Sequence, residues 1–379
     1  MKNKILTAAV LFVAVILFVI GYFLAKAPEE NTIDAEEYAE YEKGEVTMII
    51  SDNSVQNPDE DDSWRGEQAM HVKITSGQYK GQTMLATNYI GPLYGDPLEV
   101  GDNVVLIIST YANGDHTAEV YEYDRSTPIW IVVGLFLLIA VAVGGKTGAK
   151  SLVSLVITLL SVFLILIPAL LKGAATLPMT LLVCAYITVV TMTILGGIQK
   201  KSLCAMAGTV MGIVFAMAFG LLAQSMTRVS GLRTEEAEPL LQLLNTGTPI
   251  GIRGLLVAGV IICSLGASMD TTMGISSSMT EIHTANPSLS FMELFRSGMN
   301  VGRDMVGTMT TTLVLAVLGG SFVQILYFYT LGLSYNYLTS TPYFSVEIIS
   351  AVASSVGVIL SIPLTALVSA FALSRKGKL

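Results

Sequence analysis

The sequence predicts a polytopic α-helical membrane protein of about eight transmembrane helices, with a small extracellular β-barrel of the OB or SH3-like kind inserted after the first helix. Three observations lead there. Across 379 residues the mean hydropathy is +0.64, 52% of residues are hydrophobic and 13% are charged, a balance outside that of soluble domains. Eight apolar runs have roughly the length of a bilayer-crossing helix. Between the first and second of them lies one segment, residues 27–126, of the opposite composition.

Hydrocarbon holds no water to satisfy backbone groups, so each crossing must be a helix of about 20 mostly apolar residues. The runs that qualify are Ile5–Leu24, Pro128–Val143, Leu152–Leu171, Leu177–Ile198, Leu203–Gln224, Ile252–Met273, Met305–Ile325 and Val346–Leu373. Lys2 and Lys4, Lys146 and Lys150, Lys200 and Lys201, Arg296 and Arg303, and Arg375, Lys376 and Lys378 fall on one side of these spans. Cytoplasmic loops collect such residues, so both termini are expected inside. Ala25-Lys26-Ala27 has the small-x-small form of a signal cleavage site. The apolar run before it is longer than a signal-peptide core and Pro28 would follow the cut, which favours an uncleaved anchor over residues 1–26.

Residues 27–126 hold 21 acidic and five basic residues, a local charge of −16 in a chain whose total is −8, so the remaining membrane core, residues 127–379, is net positive. Glu45–Ser51, Ala69–Thr75, Gln82–Asn88, Asn103–Ser109 and Thr117–Tyr123 are short β-branched runs separated by turn signals such as SGQYKG and YANGDH. Five such strands fit a small barrel. Pro28–Tyr41 reads as a mobile or loosely helical linker, and Asp59–Asp62 as a solvated tip, since it lacks the spaced ligands of a calcium loop. His71 and His116 are the domain's only histidines, with no nucleophile constellation or metal-ligand spacing around them.

Cys184, Cys204 and Cys263 fall inside spans, and no disulfide is expected. Gly145-Lys146-Thr147 imitates the end of a phosphate-binding loop, but Ala140 stands where that loop needs glycine and a membrane helix precedes it. Gly144-Gly145 followed by Lys150-Ser151-Leu152 recurs as Gly196-Gly197 followed by Lys201-Ser202-Leu203. This weak repeat fits either a duplicated hairpin or a generic way of closing one.

The stretch SLGASMDTTMGISSSMTEIH, Ser264–His283, puts polar chemistry into an apolar run. Asp270 lies roughly 27 Å along the sixth helix, near the cytoplasmic edge of the hydrocarbon. Gly266, Asp270, Gly274, Ser277 or Ser278, and Glu281 share one helical face, and the helix is expected to end near Asn286-Pro287. Ser288 or Ser290 then caps a short amphipathic helix through Phe291, Leu294 and Phe295. In the polar run leading into the seventh span, Asn300, Asp304, Gly307 or Thr308, and Thr311 share a face, with Arg303 on its flank. The glycines and hydroxyls fit close helix packing alone. The charges fit either a structural ion pair between Arg303 and Asp270 or Asp304, or a cation or proton site on the two carboxylates.

The segments GASMDTTMGISSSMTEI and SGMNVGRDMVGTMTTTLVLAVLGGS, with the anchored acidic domain, resemble the YibE/F-like family of bacterial multi-pass membrane proteins. The resemblance covers Ile129–Leu373. It implies a bacterial plasma-membrane protein of Gram-positive type, brings no substrate or reaction, and marks Asp270, Ser276–Ser278, Asn300, Gly302, Arg303, Asp304, Gly307 and Thr308 as positions of the family pattern.

The leading expectation is a permease-like transporter of a small solute or ion, with Asp270, Ser277, Asn300, Arg303, Asp304 and Thr308 as the candidate site. The alternative is a non-transporting envelope assembly or signalling factor whose exported barrel binds a protein partner. An enzyme is not expected, since no span carries a zinc motif or a serine with a suitable base. No cofactor, metal or nucleic acid is implied; membrane lipids are, and a homo-oligomer is allowed.

Overall fold

The computed structural model describes residues 12, 15–16, 18–19, 21–22, 38–56, 63–110, 116–229, 251 and 254–374. They fall into two compact units, Pro28–Ile139 and Met1–Ala27 with Ala140–Leu379.

The first unit contains six strands: β1 (Tyr38–Asp52), β2 (Val55–Gln56), β3 (Trp64–Ile74), β4 (Thr83–Ile90), β5 (Asn103–Thr110) and β6 (His116–Tyr123). Each of the five strand runs read from the sequence coincides with one of them, Thr75 and Gln82 alone falling one residue outside. The sheet closes in the order β1-β5-β6-β4-β3, with β3 returning to β1 and β4 and β6 parallel. That is the connectivity of an OB barrel. β1 makes closure possible by pairing with β5 through its first half and with β3 through its second, bent by bulges at Val46/Met48 and Ile49/Ser51. Tyr38–Tyr41, expected in the linker, belong to β1 because the strand must reach Thr110 to span β5. The rest of that linker and Asp59–Asp62 lie outside the described residues.

Met70, Val72, Val104, Leu106 and Ile108 fill the barrel, their alternation along the strands sending every second side chain inward. One polar network is buried with them. Gln68 donates to Asp52 and to the Leu98 carbonyl and accepts from the Leu98 N–H, while Asn88 donates to Gln68 and to the Asp96 carbonyl. These bonds fasten the Asp96–Leu98 segment to the barrel, and satisfied buried amides of this kind are costly to interrupt.

Six stretches of the described chain are long and apolar enough to cross a membrane: Ser126–Leu171, Thr176–Gly196, Lys200–Thr227, Leu255–Ala285, Phe291–Gly320 and Pro342–Ser374. The first, 46 residues long, joins α1 (Ser126–Ser161), a π-helical turn (Val162–Leu166) and α2 (Ile167–Leu171). Helical geometry breaks inside α1 at Gly145, with φ 53° and ψ −134°. A β-carbon on Gly148 would strike the Ala140 carbonyl, although eight helical residues should separate their levels by about 12 Å. The chain therefore doubles back at Gly145, and the second and third spans read from the sequence are the two arms.

α3 (Thr176–Gly196) ends in the same way, Gly197 taking φ 67°, before α4 (Lys200–Thr227). The two Gly-Gly turns thus share a left-handed second glycine. α5 (Leu255–Ala285) stops at Asn286, whose φ of −138° leaves the helix ahead of Pro287. Ser290 and Glu293 then form a capping box for α6 (Phe291–Gly320). The expected short amphipathic helix and seventh span are one helix of 30 residues, because nothing between Ser297 and Met305 interrupts the ladder. It ends at Gly320 rather than continuing to Ile325; Ser321 starts the separate α7 (Phe322–Thr330), followed by α8 (Tyr335–Ser340) and α9 (Pro342–Ser374).

The most extensive helix contact joins α4 to α9. Cys204, Gly208, Gly212 and Ala216 recur every four residues on α4, and Gly357, Ser361, Thr365 and Ser369 do so on α9. Gly208 meets Thr365, Gly212 meets Ser361 and Ala216 meets Gly357, an antiparallel seam of small residues. Phe18 packs on the cluster around Ile165 and Ile187, so described residues of the first predicted span join this unit.

Candidate functional site

α5 has two chemically different sides. Ser264, Ser268, Thr272 and Ser276, each four residues apart, are buried. Thr272 meets Thr209 of α4 at 2.7 Å, and Ser276 donates to the Lys201 carbonyl at 2.8 Å and lies 3.4 Å from Ser369 of α9. The Ser268 and Ser202 hydroxyls, also fully buried, have no hydrogen-bond partner among the described residues. This hydroxyl seam of α4, α5 and α9 escaped the sequence reading, although the four-residue spacing of Ser264 to Ser276 was its visible signal.

Asp270 is on the other side. Two residues along a helix turn it by about 200°, so Asp270 points away from both Ser268 and Thr272. It is exposed, as is Gly266, around which a β-carbon would find open space. Among the described residues Asp270 has no hydrogen bond or ion pair.

α6 packs on α5 through Gly298, Gly302 and Met305, which meet Met279, Ile275 and Gly274. These three pairs run antiparallel, as the loop between the helices requires. One turn beyond the Gly274–Met305 contact lie Asp270 on α5 and Thr308 on α6, so these two candidates stand at one level. Ser277, one turn the other way from Gly274, is half-buried.

Asn300, Asp304 and Thr308 lie on the exposed side of α6. Arg303 is exposed too, but it is about 200° around the helix from Met305, and so it lies on the flank opposite α5. The ion pair of Arg303 with Asp270 or Asp304 that the sequence allows is not formed. The Thr308 hydroxyl donates to the Met305 carbonyl at 3.1 Å, and around Gly307 there is again open space. The candidate residues thus divide: Asp270, Ser277 and Thr308 follow the α5–α6 junction, whereas Asn300, Arg303 and Asp304 face outward with no partner among the described residues.

His283 is in the last turn of α5, where its Nδ1 is buried without a hydrogen-bond partner among the described residues. In the barrel, His116 contacts Thr110 at 3.0 Å and Tyr79 at 3.4 Å, while His71 is on a strand that does not pair with the strand of His116. Among the described residues no three His, Cys, Asp or Glu side chains gather as metal ligands would. The three cysteines are free, with Cys184 and Cys204 buried.

The barrel carries a concave feature of its own. Tyr89, Leu93, Tyr94, Ile107, Glu119 and Tyr121 line a groove of about 550 Å³. Leu93 is 91% exposed and Tyr94 75%.

A family model described as YibE/F-like protein matches residues 132–375. No curated protein and no solved structure matches the chain.

Proposed function

The chain belongs to the YibE/F-like family, and from that premise we propose that it is a multi-pass plasma-membrane permease for a small ion or solute. One observation carries this reading: helices long enough to span a bilayer turn Asp270, Asn300, Arg303 and Asp304 away from their own packed core, without partners among the described residues. On insertion scales each charge facing lipid would cost about 2.5–3.5 kcal/mol. Water or a second copy of the chain must therefore meet this face. In this reading eight spans cross the membrane, counting the N-terminal segment and both arms of α1, with the termini inside and the barrel outside. Asp270 binds a cation or proton beside Thr308, with Ser277 two turns along the same helix, and the α6 stripe of two copies closes the path against lipid, Arg303 of one copy neutralising Asp304 of the other.

The test is ion and proton flux into proteoliposomes. Asp270→Asn and Asp304→Asn should each lower flux at least tenfold while the protein stays folded. Flux equal to that of wild type in both variants, or no flux above protein-free vesicles under any ion gradient, overturns the permease.

A second reading rests on the tyrosine-lined groove of the acidic barrel: an envelope factor that docks a protein partner there. Deleting residues 27–126 separates the two, since a permease retains flux and an adaptor loses its phenotype entirely.

A further inference from the structure

A different cavity in the helical unit remains to be accounted for. It measures about 560 Å³ and lies among the second arm of α1, α3 and the described residues of the N-terminal segment. Leu160 and Ile157 line it on α1, Tyr186 and Ile194 on α3, and Phe18 on the N-terminal segment, with Lys150 as its one charged residue. Among the described residues no acidic side chain lines it.

The arrangement has a direction. Lys150 and Leu160 are ten residues apart on a helix that rises about 1.5 Å per residue, so the cavity extends about 15 Å along α1. Tyr186 and Ile194 cover about 12 Å of α3. Because α2 and α3 are joined by the short turn at 172–175, the helices run in opposite directions, and Ile194 lies at the Lys150 end. Lys146 is one turn before Lys150, so both ammonium groups emerge at that end. The cavity is thus a trough, apolar along its length and cationic at one end.

We propose that this trough binds one acyl chain of an anionic phospholipid, with the lipid phosphate held by Lys150. A free anion would use the lysine and leave about 15 Å of apolar wall empty. A helix of a second copy, about 10–12 Å across with its side chains, is too wide for about 560 Å³ spread along about 15 Å. A phospholipid supplies both the apolar chain and the anion at one end, as basic pockets between membrane helices do for lipid head groups. The site is separate from Asp270 and α6 and does not rest on the permease reading.

The test is thermal unfolding of the full-length protein in detergent with added phosphatidylglycerol, diacylglycerol of the same chains, or inorganic phosphate. Phosphatidylglycerol should raise the midpoint in a saturable way, diacylglycerol should do so at least tenfold less effectively, and phosphate alone not at all. Lys150→Gln, a change at an exposed residue, should lower phosphatidylglycerol to the level of diacylglycerol. Ile157→Trp, which fills the trough, should abolish both responses, and native mass spectrometry should lose the co-purified lipid. Equal effects of the two lipids on wild type would overturn the proposal, as would an unchanged phosphatidylglycerol response in Lys150→Gln. If Ile157→Trp does not fold, the lysine variant decides alone. A response to inorganic phosphate matching that to the lipid would make the site one for a free anion and also overturn it.

Discussion

Gly208 of α4 and Thr365 of α9 approach so closely that a β-carbon at position 208 would overlap the threonine hydroxyl. Four residues on, a β-carbon at Gly212 would lie 2.7 Å from the Cβ of Ser361. Neither contact is with the far end of a flexible chain, so a larger residue must push the helices apart. Gly208→Leu and Gly212→Leu should each destabilise by about 1–3 kcal/mol or more. Thermal unfolding in detergent measures this, and a loss below the scatter of the assay would contradict the seam.

Gly307 is the opposite case, because a β-carbon there meets nothing within 4 Å. Gly307→Leu should leave the unfolding midpoint of the monomer almost unchanged, within about 0.5 kcal/mol as for surface positions. If two copies meet along Asn300, Asp304 and Thr311, the same change should dissociate them, which light scattering in detergent or subunit counting in nanodiscs would register. An oligomer that survives Gly307→Leu places the stripe elsewhere than at a tight interface.

The paired turns make a third prediction. Gly145 and Gly197 have φ of 53° and 67°, where an L-residue is strained by about 1–2 kcal/mol, whereas Gly144 is not in that region. Gly145→Ala and Gly197→Ala should each lower stability by about that amount. Gly144→Ala should be neutral or gain up to about 1 kcal/mol from helix propensity. Equal effects at positions 144 and 145 would mean that the turn is not fixed by the second glycine.

Much of this architecture is legible in the sequence because it rests on local signals. Strand runs with glycine and aspartate turns foretold the barrel, and Asn286-Pro287 foretold the end of α5. The barrel type was not legible, since OB closure depends on β1 pairing both with β3, as in Gly44 with Ile74, and with β5, as in Tyr38 with Thr110, which no local pattern encodes. Nor was the rotation of α6: spacing places Asn300, Asp304 and Thr308 on one face but cannot say which face meets α5. Gly298 and Gly302 settle that by admitting Met279 and Ile275, and so leave Arg303 on the far flank.

The hydroxyl seam separates structural from dispensable polar groups. Thr209 and Thr272 satisfy each other at 2.7 Å, so Thr272→Val leaves a buried hydroxyl with no partner and should cost about 1–3 kcal/mol. Ser268 has no partner among the described residues, and Ser268→Ala should be neutral or stabilising by up to about 1 kcal/mol. A Ser268→Ala variant less stable than Thr272→Val would show that its hydroxyl has a bound partner in the membrane.

In the barrel, Asp124 accepts hydrogen bonds from the Ser126 side chain at 2.6 Å and N–H at 3.0 Å, and pairs with Lys43 at 2.9 Å. The Ser126 hydroxyl first, and Lys43 next, hold its carboxyl down to about 2, against an ordinary 3.8. A carboxylate depressed in the folded state stabilises above its unfolded pKa and loses that contribution as pH falls through the folded one, here between about pH 4 and pH 2. Lys43 is half-exposed, so solvent screening brings the contribution to about 1–2 kcal/mol. Asp124→Asn should lower barrel stability by that amount at pH 7 and flatten its decline between pH 4 and pH 2. Trp64 fluorescence in a Trp130→Phe background follows the barrel in the full-length chain. Parallel pH profiles for the variant and its parent would mean that another carboxylate, such as Asp52, held down by the hydroxyl and N–H of Ser54, governs the acid limb.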